Sequence, residues 1–420
     1  MSKSNNNTAM DISLQNAECR TLSNGVKLYT LSGDEFEVLR VSFIFEAGSV
    51  VQDRPFSATA TANMMYEGSR DMDSREIAEK LDYFGSYFDV NIDRDYVYIN
   101  FCSLSKFVKP TLVVAEQIIL HPTFPEEELS TYRAKRKQRL RVERQKVETR
   151  AREEFAKSLF GETHPYGESY SESEYDNLTR EDLLYIYENF YTAERAFVVC
   201  SGRVGDEELE LVTAIASQLP NRTDNKRREF PEAVQRKYHL VEKADAVQSS
   251  IRVGRLLFDR LHPDFIGMQV LATTLGGYFG SRLMRTLREE RGYTYGVMSA
   301  MVNFAKAGYF AIATQVGVEV VEEALQLITA EIETLRTELI PEDELDMVKR
   351  IMKGEMLRIL DGPFGVADVT IENILCGRDN DAIAENVAKI DSLTAEELQA
   401  LAQKHLSVDE MVTVVSGAHN

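Results

Sequence analysis

The sequence predicts an α+β protein of two homologous lobes, each a mainly antiparallel sheet packed with helices. An internal repeat, strands grouped ahead of long helices, and a length beyond one core support this class. At 420 residues the chain exceeds what a single hydrophobic core ordinarily serves.

The repeat is read from three landmarks. Phe124-Pro125-Glu126-Glu127-Glu128-Leu129 returns as Ile340-Pro341-Glu342-Asp343-Glu344-Leu345, 216 residues on. Leu178-Thr179 followed by Arg180, Glu181, Asp182 and Leu183 returns at Leu393-Thr394, an offset of 215. Val198-Val199-Cys200-Ser201-Gly202 returns as Val414-Val415-Ser416-Gly417, with Ser416 again 215 beyond Ser201. Pro55 and Gly68 match Pro263 and Gly276 at an offset of 208. One motif could recur by chance; an ordered series at one offset reads as duplication. The lobes are set at 20–219 and 237–417. The polar, proline-bounded stretch 220–236 between them reads as a linker.

Each landmark has its own local physics. A proline followed by three acids opens a helix, because proline gives up no needed donor there and carboxylates suit the positive helix end. Thr179 and Thr394 are expected to cap the following helices. The Val-Val runs ending in glycine read as buried strands, with Cys200 inside one of them. Earlier strands are expected at 26–31 and 38–47, the second placing Val41, Phe43 and Phe45 on one face. A hairpin is expected from 88–92 and 96–102, turning at Asp93-Arg94-Asp95. Long helices are expected at 126–160 and 342–359. His164-Pro165-Tyr166-Gly167 reads as a turn and Met64-Met65-Tyr66 as core.

Composition removes whole classes of function. The net charge of −20 argues against nucleic acid and against anionic membrane surfaces, since both need clustered Lys and Arg. No stretch reaches the apolar length of a membrane span. Residues 1–18 lack an apolar signal core and are expected to be a short disordered tail. Cys19, Cys102, Cys200 and Cys376 are scattered without a disulfide framework, so a cytoplasmic location is expected.

Common catalytic signatures are absent. There is no G-x-G-x-x-G, no Walker-type glycine loop and no G-x-S-x-G elbow. The six histidines, His121, His164, His239, His262, His405 and His419, never lie four apart, so no helix offers two imidazoles to one metal.

Two passages carry a family resemblance. The second lobe contains LGGYFGSRL at 275–283 and LREERGYTYGV at 287–297. The first contains Glu67-Gly68-Ser69, then SREIAEKL at 74–81, Gly85, and His164-Pro165-Tyr166-Gly167. Together these resemble the pitrilysin/insulinase/mitochondrial-processing-peptidase family over nearly the whole chain. In active members an H-x-x-E-H helix binds zinc, and its Glu activates the bound water. Aligned on Gly68, that motif falls on Thr59-Ala60-Thr61-Ala62-Asn63. Thr59 and Asn63 then replace the two His ligands, and Ala62 replaces the base. The third ligand, a distal Glu, would fall within 134–147 (AKRKQRLRVERQKV), whose one carboxylate, Glu143, reads as a surface ion-pair partner. No metal is expected on this chain.

The resemblance also implies a retained half of the site. An Arg and a Tyr of the second lobe, here Arg288 and Tyr295, would bind substrate: the guanidinium holds a peptide carbonyl and the phenol donates to a developing oxyanion. The helix should break at Gly292, leaving Tyr295 to project from the following strand or turn. The expected function is a zinc-less subunit of a heteromeric metallopeptidase. It would bind peptide for a zinc-bearing homologous partner, as a heterodimer or through self-association. The alternatives are a scaffolding member without a peptidase role and an enzyme with relocated chemistry.

Overall fold

In the first half the strands are β1 (Glu18–Thr21), β2 (Lys27–Ser32), β3 (Val38–Phe45), β4 (Tyr87–Ile92), β5 (Val97–Leu104) and β6 (Ala196–Gly202). The second half supplies β7 (Tyr238–Glu242), β8 (Gln248–Leu257), β9 (Val297–Asn303), β10 (Gly308–Gly317) and β11 (Val412–Gly417). These positions come from a computed structural model, which describes residues 14–33, 37–222, 230–233 and 238–418. The linker expected over 220–236 lies largely outside the described residues.

The first-half helices are α1 (Ser57–Met64), α2 (Ser74–Phe84), α3 (Val108–Leu120), α4 (Glu126–Glu143), α5 (Val147–Phe160), α6 (Arg180–Phe190) and α7 (Asp206–Ala216). Those of the second half are α8 (Phe265–Gly276), α9 (Val321–Thr337), α10 (Glu342–Ile359), α11 (Pro363–Leu375), α12 (Asp381–Ser392) and α13 (Ala395–His405).

The strands form two sheets, ordered β1-β2-β6-β3-β5-β4 and β7-β11-β8-β10-β9. The last five positions of the first sheet repeat the whole of the second. In both, one pair is parallel (β2 with β6, β7 with β11) and the other ladders are antiparallel. β4 and β9 are the equivalent free edges. Alternation sorts the faces as the sequence predicts: Val41, Phe43 and Phe45 enter the first core with Phe101, Ile118 and Val198. A matching second core gathers Ile251, Phe310 and Ile312 with helices α8, α9 and α13.

The other face of each sheet is covered by a helix from the other half. α5 lies on β8 and β11, seating Phe155 and Phe160 against Ala311, Val412 and Val414. α11 lies on β6, seating Ala367 and Ile371 against Ile44 and Val199. The halves are therefore clasped by exchanged, equivalent helices. At the centre the hairpin turn of β4–β5 meets that of β9–β10: the Ala305 N–H donates to the Asp95 carboxylate at 2.9 Å. The Tyr166 hydroxyl donates to the same carboxylate at 2.7 Å while its ring stacks on Phe304 at 4.2 Å. The turn at His164 is thus present, and it also anchors one half to the other.

Local rules hold at the landmarks. Thr179 and Thr394 complete capping boxes with Asp182 and Glu397. α4 and α10 open after Pro125 and Pro341 with three acids in their first turns. Two expectations need correction. The helix expected over 126–160 is two helices, because Lys146 takes an extended conformation at the start of α5. Arg144 bridges that corner to Glu153 at 3.0 Å, and Arg150 donates to the Arg144 carbonyl at 2.8 Å. The break frees α5 to leave its own half. The tail expected to be disordered through residue 18 is ordered from Leu14. Leu14 packs with Ile383 and Val387, and Asn16 accepts from the Asn380 N–H at 2.7 Å. Residues 1–13 lie outside the described part.

Candidate functional site

Two corners hold the residues singled out by the sequence, one beside each free edge strand. The first is where α1 meets α4. α1 carries Thr59 and Asn63, half-buried, and Ala62, fully buried. The Asn63 amide donates to the Thr59 carbonyl at 2.6 Å, one helical turn back, which turns its carbonyl oxygen toward α4. There the Arg136 Nη2 donates to Asn63 Oδ1 at 2.7 Å. A guanidinium therefore stands beside the second ligand position, reaching from the helix expected to supply the third. Glu143, the carboxylate on that helix's last turn, pairs with Lys146 at 2.9 Å as a surface partner.

The donor set does not fit zinc. Thr59, Ala62 and Asn63 offer no imidazole or carboxylate. A unit charge and a divalent ion roughly 4 Å apart also repel by about 8 kcal/mol at an effective dielectric near 20. Among the described residues no group of three His, Cys, Asp or Glu is placed to hold a metal.

Arg136 is fixed by its surroundings. Its guanidinium lies 5.1 Å from the centre of the Tyr132 ring. Burial raises the phenols of Tyr66, Tyr132 and Tyr175, while the Arg136 charge pulls all three back. Glu67 is also held above the ordinary carboxylate range by burial, with Glu128 adding to it and Lys135 opposing. The backbone ahead of both helices is strained. Phe56 before α1 and Phe124 before α4 have φ of 66° and 49°, the two positive-φ non-glycine residues among those described. Phe56 stacks on Tyr175 at 4.0 Å, and Phe124 is completely buried.

The second corner is built on Met284–Glu290, one stretch of π-helix ahead of β9. Such wider turns concentrate at functional sites. Gly276 ends α8 so close to β9 that a Cβ there would meet the Ser299 nitrogen at 2.8 Å. The π-helical stretch is pinned from behind: Arg282 makes a two-pronged pair with Glu344 at 2.9 and 2.7 Å, and Thr286 donates to Glu331 at 2.8 Å. Arg288 follows on the open side, its guanidinium 4.6 Å above the Phe279 ring. Gly292 then turns left-handed at φ 67°, as expected from the sequence. Thr314 accepts no such freedom in the next loop, bonding Thr294 and the Gly296 carbonyl at 3.0 Å each. Tyr295 projects between them at 95% exposure. In the same corner Phe279, under Arg288, and Met298 of β9 expose 64% and 61% of their surface.

Among the described residues no hydrogen bond, ion pair or ring contact joins Arg288 to Tyr295, or either to Asn63 or Arg136. The structure brings Asn63 and Thr59 together with Arg136, which sequence reasoning missed. The available signal was a basic run where a carboxylate ligand was expected. Phe279 was missed for a similar reason: its role depends on an approach that only the fold creates.

The chain is thus a duplicated α+β scaffold with exchanged helices, one corner closed by Arg136 on Asn63 and one carrying Arg288 and Tyr295. The description "Insulinase (Peptidase family M16)" matches residues 40–169, and "Peptidase M16 inactive domain" matches 177–352. The chain belongs to the insulinase (M16) peptidase family. It is 21% identical over 360 residues to an uncharacterized zinc protease of Bacillus subtilis, YmxG, spanning 85% of this chain and 87% of that one. A Helicobacter pylori protein described as a non-peptidase homolog, also YmxG, is 21% identical over 332 residues, 76% of each chain. The crystal structure of a peptidase M16 inactive domain from Pseudomonas fluorescens superposes with a TM-score of 0.90 at 25% identity, covering 97% of this chain and 98% of that one.

Proposed function

We propose that this chain is the zinc-less subunit of a heteromeric M16 metallopeptidase, binding peptide substrate for a zinc-bearing homologous subunit. The observation that supports it most is the contrast between the corners. The ligand positions Thr59 and Asn63 are closed by Arg136, while Tyr295 is exposed and Arg288, half-buried over Phe279, makes no ion pair among the described residues. In this reading lobes 20–219 and 237–417 form one side of a shared chamber, and an extended peptide adds along an edge strand. Arg288 grips a carbonyl and Tyr295 donates to the oxygen whose carbon is attacked. The metal and the general base belong to the partner. A cytoplasmic setting is part of the proposal and is supported by the free state of all four cysteines. No described helix is long and apolar enough to cross a membrane.

The test is reconstitution with a zinc-bearing M16 homologue from the same organism, assayed on unfolded peptides. The mixture should exceed the homologue alone, and Arg288→Ala or Tyr295→Phe should remove the gain. A mixture no more active than the homologue alone defeats the reading. The second reading, a scaffold without a peptidase role, is favoured by the likeness to the Helicobacter pylori non-peptidase homolog. It gains if a complex forms and both variants leave its activity untouched.

A further inference from the structure

Arg136 and Arg288 have one condition in common: each guanidinium lies over an aromatic ring and makes no ion pair among the described residues. On α4, Arg133 pairs with Glu126 and Lys137 with Asp176, yet Arg136 between them pairs with no carboxylate among the described residues. On the other corner, Arg282 pairs with Glu344 and Arg285 with Glu290 at 3.9 Å, and Arg288 again pairs with none. In a chain of net charge −20, acids to neutralise both are plentiful. Each guanidinium instead lies against one aromatic ring, Tyr132 in one half and Phe279 in the other. An aromatic face holds a guanidinium by its charge without occupying the N–H donors on its rim.

We infer that Arg136 is a peptide-holding residue, a fixed cation that binds a carbonyl or carboxylate oxygen of an extended peptide at the first-half corner. The inference rests on the peptide-binding reading above and adds to it a second anchor and a change of chemistry. Of the five N–H donors of the guanidinium, Asn63 takes one at 2.7 Å and the Tyr132 hydroxyl lies within reach of another; the rest are uncommitted among the described residues, and Arg136 itself is only half-buried. Asn63 cannot swing away, because its amide is tied to the Thr59 carbonyl. The left-handed Phe56 and Phe124 fix the two helices whose approach brings Asn63 and Arg136 together. Strain of this kind persists only where packing over-determines it. Arg136 brings a fixed positive charge to the corner, so an oxygen that a metal would attract is attracted to it too. A guanidinium remains protonated and takes no proton from water, so it holds the peptide without activating a nucleophile. The corner has exchanged cleavage for retention.

The experiment measures binding of a fluorescently labelled unfolded peptide to the full chain by anisotropy, at low and high salt, with the peptide as free carboxylate and as carboxy-terminal amide. Wild type, Arg136→Gln, Arg136→Lys and Arg288→Ala are compared, with thermal melts run in parallel. Arg136→Gln should weaken binding about tenfold or more, the effect of one charged hydrogen bond, at an unchanged melting temperature. Arg136→Lys keeps the charge and loses the fork, so it should fall between, and both losses should shrink at high salt. An Arg136 effect that vanishes with the amidated peptide assigns the oxygen to a terminal carboxylate; one that persists assigns it to a backbone carbonyl. If both Arg136 variants bind as wild type while Arg288→Ala is weakened, Arg136 only plugs the corner and the inference fails. If wild type binds no peptide, the peptide-binding reading itself falls, and this inference with it.

Discussion

Helix α5 of the first half and helix α11 of the second begin 216 residues apart and do the same work on opposite sheets. Each follows a long acid-started helix, leaves its own half, and covers the face of the other sheet. The corners beside the free edges do not share this equivalence. In the first half, α1 and α4 close on each other through Asn63 and Arg136. In the second, the π-helical stretch is pinned from behind by Glu344 and Glu331, leaving Tyr295 exposed and Arg288 half-buried over Phe279. Duplication has therefore kept the packing constraints, which act on many residues at once. It has let the corners diverge, where a few side chains decide the chemistry.

The sharpest way to break the comparison is to remove a packing residue from each exchanged helix. Phe155→Ala in α5 should cost about 3–5 kcal/mol, and Ile371→Ala in α11 about 2–4 kcal/mol. The location of the damage matters more than its size. Hydrogen exchange should rise first in β8 and β11 for Phe155→Ala and in β6 for Ile371→Ala. Losses confined to the half that encodes the helix would mean that the exchange does not carry the stability assigned to it.

This exchange was not legible in the sequence, although its ingredients were. The offset of the landmarks gave the duplication, and alternation gave Val41, Phe43 and Phe45 their shared face. Ile44, pointing the other way on β3, signalled a second cover without saying which half provides it. The helix break at 144–146 was invisible because the basic run across it has good helix propensity throughout. Its turn is set by Arg144 with Glu153, a contact made only after folding. That Thr59, Ala62 and Asn63 offer neither zinc ligand nor base was readable from residue types. What fills the corner was not, since Arg136 is one cation among many until α4 is laid against α1.

Substitution at the open corner tests the other side of the contrast. Arg288→Ala should weaken binding of an unfolded peptide about tenfold, near 1.4 kcal/mol, and Tyr295→Phe somewhat less. Phe279→Leu should weaken it by a fewfold by releasing the guanidinium from its ring, within the roughly 0.5–1 kcal/mol of an exposed cation–π contact. All three should leave unfolding unchanged, because Tyr295 and Phe279 are exposed and Arg288 has no ion pair among the described residues. A drop in stability matching the drop in affinity would make this corner structural and erase the contrast.

A smaller test asks whether equivalence extends to single residues. Thr179 and Thr394 cap α6 and α13 with the same reciprocal box. Replacing either by alanine should cost about 1 kcal/mol in urea unfolding, and the two costs should agree within a few tenths. A large inequality would mean that one half unfolds ahead of the other.

The smallest effect comes from the central hairpin turns, where the halves again differ in charge. The first-half turn carries Asp95, while its counterpart at 304–307 carries no carboxylate and one lysine, Lys306. Burial raises the Asp95 carboxyl above its ordinary value, opposed by the Ala305 N–H, the Tyr166 hydroxyl and Lys306. A carboxyl with a raised folded-state pKa favours the native state most while protonated. Its contribution is complete below the unfolded value of about 4 and is lost as pH rises through the folded value. Asp95→Asn removes that titration and keeps an oxygen for the Tyr166 hydroxyl. Wild type should therefore lose stability relative to Asp95→Asn as pH rises above about 4, read from urea midpoints across the acid range. A difference between the two proteins that stays constant with pH would show that Asp95 titrates alike folded and unfolded. The turn would then hold the halves through its hydrogen bonds alone.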